Sequence, residues 1–113
     1  MTGGIEWLVD ARGCAPERLR DRERVVALLD EIVRVLELRV VSSAVHVFPG
    51  PGGITAMYLL AESHLTIHTF PESGVATLNL YCCKPRRPAA WRELLGALGA
   101  TDVIATEHAR GGT

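Results

Sequence analysis

Between Arg39 and Cys83 the chain carries four runs of β-forming residues, 39–48, 54–61, 64–70 and 75–83, and almost nothing else. The breaks between them are Pro49-Gly50-Pro51-Gly52-Gly53, Glu62-Ser63 and Pro71-Glu72-Ser73-Gly74. Parallel neighbours would need crossovers of about a dozen residues, so strands this close together can join only as antiparallel hairpins. The centre of the chain is therefore an antiparallel meander, and the remaining segments must cover it. From 17 to 38, Val25, Leu28, Leu29, Ile32 and Leu36 recur at steps of three and four, with Asp21, Arg22, Glu23, Asp30, Glu31 and Arg34 between them. That spacing predicts one long amphipathic helix. Trp91, Leu94, Leu95 and Leu98 mark a short second helix after Pro85 and Pro88, closed by Gly99. Outer strands are expected at 5–11, before the turn cluster Arg12-Gly13-Cys14-Ala15-Pro16, and at 102–106, with 109–113 as a loose tail.

The order βαββββαβ predicts an α+β two-layer sandwich, a mainly antiparallel sheet with two helices on one face. The 113 residues suffice for a single domain over 1–113. Twelve Lys and Arg against 13 Asp and Glu leave a net charge of -1, without the basic field that nucleic acid or an anionic membrane would attract. Apolar runs stay well short of the roughly 18 residues of a membrane span, and MTGGIEWLVD has no signal-peptide pattern, so a cytoplasmic location is expected. Cys14, Cys82 and Cys83 fit neither a disulfide framework nor a paired zinc motif and are read as reduced thiols.

Two helices cover one face of the sheet and leave the other open. Side chains alternate along a strand, so the open face receives His64, Thr66, His68 and Phe70 from one run and Thr77, Asn79, Tyr81 and Cys83 from the next. Half polar and half aromatic, this face calls for a second subunit or a ligand. His64 and His68 would share a face on a helix, but on a strand they stand roughly 13 Å apart, too far to hold one ion, and no metal is expected. Pro49-Gly53 lacks the Lys and helix start of a phosphate loop and reads as a hairpin loop. Lys84, Arg86 and Arg87 read as a solvated loop.

The stretch Leu59-Leu60-Ala61-Glu62-Ser63-His64-Leu65-Thr66-Ile67-His68-Thr69-Phe70-Pro71-Glu72 concentrates Ser, His, Thr and Glu in sheet. It closely resembles the AESHxxIHTxPE signature of the small prokaryotic S-adenosylmethionine decarboxylases, whose pyruvoyl group is made from the serine. Val9-Asp10, Gly13-Cys14, His46-Val47-Phe48, Gly53-Ile54-Thr55, Cys83 and Glu107-His108-x-Arg110-Gly111 extend the resemblance over nearly the whole chain. It implies self-cleavage between Glu62 and Ser63 into chains 1–62 and 63–113. The Ser63 hydroxyl would attack the Glu62 carbonyl, giving an ester that eliminates and hydrolyses to a pyruvoyl cofactor. By the same resemblance Thr55 supplies a hydroxyl at the ester, His68 takes the α-proton, and Cys83 protonates the carbanion after carbon dioxide leaves. Phe48 and Phe70 would stack adenine, and Glu72 would hold the ribose hydroxyls. The implied product is the aminopropyl donor for spermidine synthesis, and the implied assembly is a homodimer of cleaved protomers with sites at or near the interface.

Three departures stand out. Asn79-Leu80-Tyr81-Cys82-Cys83-Lys84 replaces a family pattern of Asp-x-Phe-Thr-Cys-Gly, losing a carboxylate and gaining a cation. One more residue separates Phe48 from Gly53, which bears on where Phe48 sits, and Ala11-Arg12 replaces an apolar-aromatic pair. They leave open two alternatives: a pyruvoyl-dependent arginine or ornithine decarboxylase of the same family, or a non-processing regulatory homologue.

Overall fold

The computed structural model describes residues 3–83 and 88–111. Within these, six strands form one antiparallel sheet: β1 (Gly3–Arg12), β2 (Val40–Val47), β3 (Ile54–Leu60), β4 (His64–Phe70), β5 (Val75–Cys82) and β6 (Asp102–Gly111). Across the sheet they run β2-β3-β4-β5-β1-β6. The meander from β2 to β5 is the expected one, and β1 pairs with β5 on one side and β6 on the other. The helices are α1 (Pro16–Leu19), α2 (Arg22–Val35) and α3 (Trp91–Leu95), the last running into a 3-10 turn at Gly96–Leu98.

The core lies between the sheet and the helices. Ala56 and Tyr58 of β3, Leu65 and Ile67 of β4, Leu78 and Leu80 of β5 and Val9 of β1 are buried against Leu28, Leu29 and Ile32 of α2 and Leu95 of α3. Thr69 is buried among them because both its bonding capacities are met: it accepts from the Ile54 N–H at 2.9 Å and donates to the Leu19 carbonyl at 2.7 Å, tying β3 and α1 to β4. Among the described residues no helix covers the opposite face, and Met57, Leu59, Phe70 and Ile104 are exposed on it.

Two elements depart from expectation. The predicted helix over 17–38 is two helices, because Asp21 takes extended backbone and its carboxylate accepts the Arg24 N–H at 3.2 Å. Asp21 caps α2, and the chain turns there. The last strand runs to Gly111, so 109–111 is not a loose tail. β6 is exposed on both faces for nearly all its length and holds its place by backbone pairing with β1, from Gly3 opposite Gly111 to Arg12 opposite Asp102. An edge strand of that kind has no apolar alternation to announce it.

Tyr58 donates its hydroxyl to Asp30 Oδ1 at 2.6 Å, joining β3 to α2. Burial first, then the hydrogen bond and the charge of Asp30, push its pKa above the ordinary 10.0. With the folded pKa the higher, this contribution is complete below about pH 10 and falls as pH rises beyond it, where the unfolded chain ionises first. Tyr58→Phe is expected to cost about 1–3 kcal/mol at neutral pH. The same variant should lose less additional stability above about pH 10, as urea unfolding at the two pH values would measure.

Candidate active site

Ser63 ends the short connection between β3 and β4. Leu60 N–H donates to the Ser63 carbonyl at 2.9 Å, and Ala61 N–H donates to the Arg39 carbonyl at 2.9 Å, so the backbone around the Glu62–Ser63 bond is anchored to two elements. His64 lies opposite Tyr81 in the β4–β5 pairing, and the same register carried two residues outward sets Cys83 opposite Glu62. There the Cys83 thiol donates to the Glu62 carbonyl oxygen. Next to this contact the His64 and Tyr81 rings stack, with centroids 5.8 Å apart and planes at 22°.

A second cluster lies at the other end of β4. Thr55 faces His68 across the β3–β4 pairing, and Thr55 Oγ1 and His68 Nδ1 share a hydrogen bond of 3.0 Å. They line a cavity of about 330 Å³ with Phe48, Phe70 and Glu72. The loop from Pro49 to Gly52 is closed by the Phe48 N–H donating to the Gly53 carbonyl at 2.8 Å, so the additional residue leaves Phe48 in the cavity wall. A Cβ on Gly53 would stand 2.7 Å from the Thr69 carbonyl oxygen, so only glycine lets this loop lie against β4. The His46 ring meets Phe48 edge to face at 4.5 Å. A larger cleft of about 510 Å³ lies between α2 and α3 and touches neither cluster.

All eight residues singled out in the sequence thus lie along one line of the structure, but in two groups. Glu62, Ser63 and Cys83 meet at one end of β4, and Phe48, Thr55, His68, Phe70 and Glu72 at the other. Five residue steps of extended chain separate Ser63 from His68, roughly 16 Å, which no serine and imidazole can bridge. His64 and His68 are likewise engaged separately, one with Tyr81 and the other with Thr55. The three thiols differ by depth. Burial pushes the Cys14 pKa up and Cys82 is buried with it, while Cys83 is half-buried on the open face. Lys84, Arg86 and Arg87 lie outside the described residues.

Glu6 was not visible as a site residue in the sequence. It accepts from Asn79 Nδ2 at 2.9 Å and from Arg110 Nη1 at 2.6 Å on the open face, so a carboxylate stands beside position 79 although the residue there is an amide. The available signal was its alternation with Trp7 and Val9, which places a charge opposite two buried apolar residues.

The family model for S-adenosylmethionine decarboxylase matches residues 5–111. The chain is 38% identical over 82 residues to the S-adenosylmethionine decarboxylase proenzyme of Thermococcus gammatolerans, covering 73% of this chain and 57% of that protein. The chain therefore spans little more than half the length of that archaeal relative. It is 30% identical over 92 residues to the proenzyme of the same name from Clostridium botulinum strain Hall, covering 78% of each. The crystal structure of the adenosylmethionine decarboxylase from Aquifex aeolicus VF5 superposes with a TM-score of 0.82 at 30% identity, over 99% of this chain and 93% of that one. Sequence over 5–111 and fold over almost the full length agree, and the chain belongs to the S-adenosylmethionine decarboxylase family.

Proposed function

We propose that this chain cleaves itself between Glu62 and Ser63 and then, as a homodimer, decarboxylates S-adenosylmethionine. The observation that carries the reading is the Cys83 thiol donating to the Glu62 carbonyl oxygen. A donor on that oxygen draws electron density from the carbon the Ser63 hydroxyl must attack, and steadies the negative charge that develops on the oxygen. Serine is a weak nucleophile towards an amide, so a held carbonyl and an anchored turn are what the first step needs. The peptide bond becomes an ester, and removal of the Ser63 α-proton expels the Glu62 carboxylate, leaving a dehydroalanine terminus that water hydrolyses to a pyruvoyl group with release of ammonia. That group supplies an electron sink for the pair left behind when carbon dioxide departs.

His68 is the base suited to the α-proton step, with Thr55 fixing its ring through the 3.0 Å hydrogen bond. It lies too far along β4 to serve its own Ser63. A second copy removes the difficulty. Two open faces packed about a two-fold axis crossing near Thr66 would bring one protomer's His68 end over the other's Ser63 end. Sheets pack about 10 Å apart, within the joint reach of side chains from both. Met57, Leu59, Phe70 and Ile104 supply the apolar area for such a contact. The cavity at the His68 end then belongs to the partner's Ser63: Phe48 and Phe70 offer aromatic surfaces to a base, and Glu72 offers a carboxylate to ribose hydroxyls.

Release of labelled carbon dioxide from carboxyl-labelled S-adenosylmethionine, arginine and ornithine tests the substrate. Release from S-adenosylmethionine alone is the expected result. Release from an amino acid alone would replace this reading by the arginine or ornithine decarboxylase, and an intact Ser63 in an unbroken chain would favour the non-processing homologue.

A further inference from the structure

Glu37 is the only non-glycine residue with a positive φ, 54°, among those described. It follows the C-cap of α2, where the Leu38 N–H donates to the Val33 carbonyl at 2.9 Å and the Glu37 N–H to the Arg34 carbonyl at 3.3 Å. That is the left-handed helix stop for which glycine is the ordinary choice, since a side chain there is strained. A residue kept in such a conformation marks a place where the side chain has a use. Here the second observation is a cavity of about 220 Å³, separate from the one at His68, which Glu37 lines together with Arg39, Glu62 and Ser63. The turn that ends α2 and the bond read above as the cleavage point share one wall, and the Arg39 carbonyl grips the Ala61 N–H within it.

Resting on the self-cleavage proposed above, we propose that Glu37 is the proton acceptor for its first step. Its carboxylate, directly or through one water in the cavity, takes the Ser63 hydroxyl proton as that oxygen bonds to the Glu62 carbonyl carbon. The proton passes to the Ser63 nitrogen as the C–N bond breaks, so an ester and an amine form with no further reactant. A cavity of this size accommodates such a water beside its polar lining.

Cleavage is followed by pulse-labelled cell-free translation of the full chain and denaturing gels. Glu37→Gln and Glu37→Gly are expected to slow it by about 100-fold, and Glu37→Asp by less. Added formate should restore part of the rate to Glu37→Gly, whose missing side chain leaves room for it. In a Ser63→Ala background, where every chain stays whole, Glu37→Gly should melt at a higher temperature than Glu37, because glycine relieves the backbone. A stabilised chain that cleaves poorly separates a chemical role from a fold defect. Cleavage of both variants within about twofold of the parent rate would overturn the proposal while leaving self-cleavage standing, as it would if the Glu62 carboxylate were the base. Slow cleavage of Glu37→Gly that formate does not raise would make the role conformational and overturn proton transfer. A parent chain that never cleaves would overturn both readings.

Discussion

A Ser63→Ala chain is expected to remain one polypeptide of 113 residues, with none of the 62-residue and 51-residue fragments (113 - 62 = 51) that cleavage after Glu62 produces. Carbon dioxide release should fall to background, since alanine has no oxygen to move the peptide bond onto and no electron sink can form at position 63. The fold should survive. Ser63 is half-buried in a connection held by backbone bonds from Leu60 and Ala61, and alanine removes one oxygen without touching either. Its unfolding free energy is therefore expected within about 1 kcal/mol of an uncleaved parent chain. Intact mass reports the first outcome, and fragments of those lengths from Ser63→Ala would contradict the assigned chemistry altogether.

Mixing two inactive chains should restore activity. If Ser63 is served by the partner's His68, a dimer of one Ser63→Ala chain and one His68→Ala chain contains one complete site and one doubly damaged one. Co-expressed with distinguishable tags, only the His68→Ala chain, which keeps its serine, is expected to be cut. Each variant alone should stay whole or nearly so, His68→Ala slowed by about 10²–10⁴ as the loss of a general base allows. A site contained within one protomer predicts no rescue at all. The roughly 16 Å of strand between the two residues makes the shared site the expected outcome. Light scattering on the mixed sample should show a dimer, and a cleaving monomer would count against the open-face interface.

The contrast between β4 and β6 shows what makes an element legible. His64–Phe70 has buried Leu65, Ile67 and Thr69 alternating with exposed neighbours between two turn clusters, and its limits in the structure are the ones read from the residues. β6 has the polar run Thr106-Glu107-His108 at its centre and owes its last five residues to hydrogen bonds with β1, a partner far away in sequence. Asp21 illustrates the same limit in a helix. Its place among the polar positions of a 3.6-residue pattern is indistinguishable from that of Glu23, and only its backbone shows that it caps one helix after another has ended. In the candidate site, the signature residues could be picked out one by one, and Glu6 and Glu37 could not. Glu6 acquires its interest from Asn79 and Arg110, and Glu37 from a cavity shared with Ser63.

The sequence by itself determined the antiparallel meander, the helix-covered face and the set of residues on the open one. Each follows from local facts: how short the connections are and how side chains alternate on a strand. Only the tertiary structure decided how that set divides. Cys83 stands at Glu62 because β4 and β5 pair in one register, and His68 stands with Thr55 because β3 and β4 pair in another. The two ends of an extended strand lie too far apart for their side chains to meet, so a stretch that is continuous in sequence is divided into two clusters in the fold.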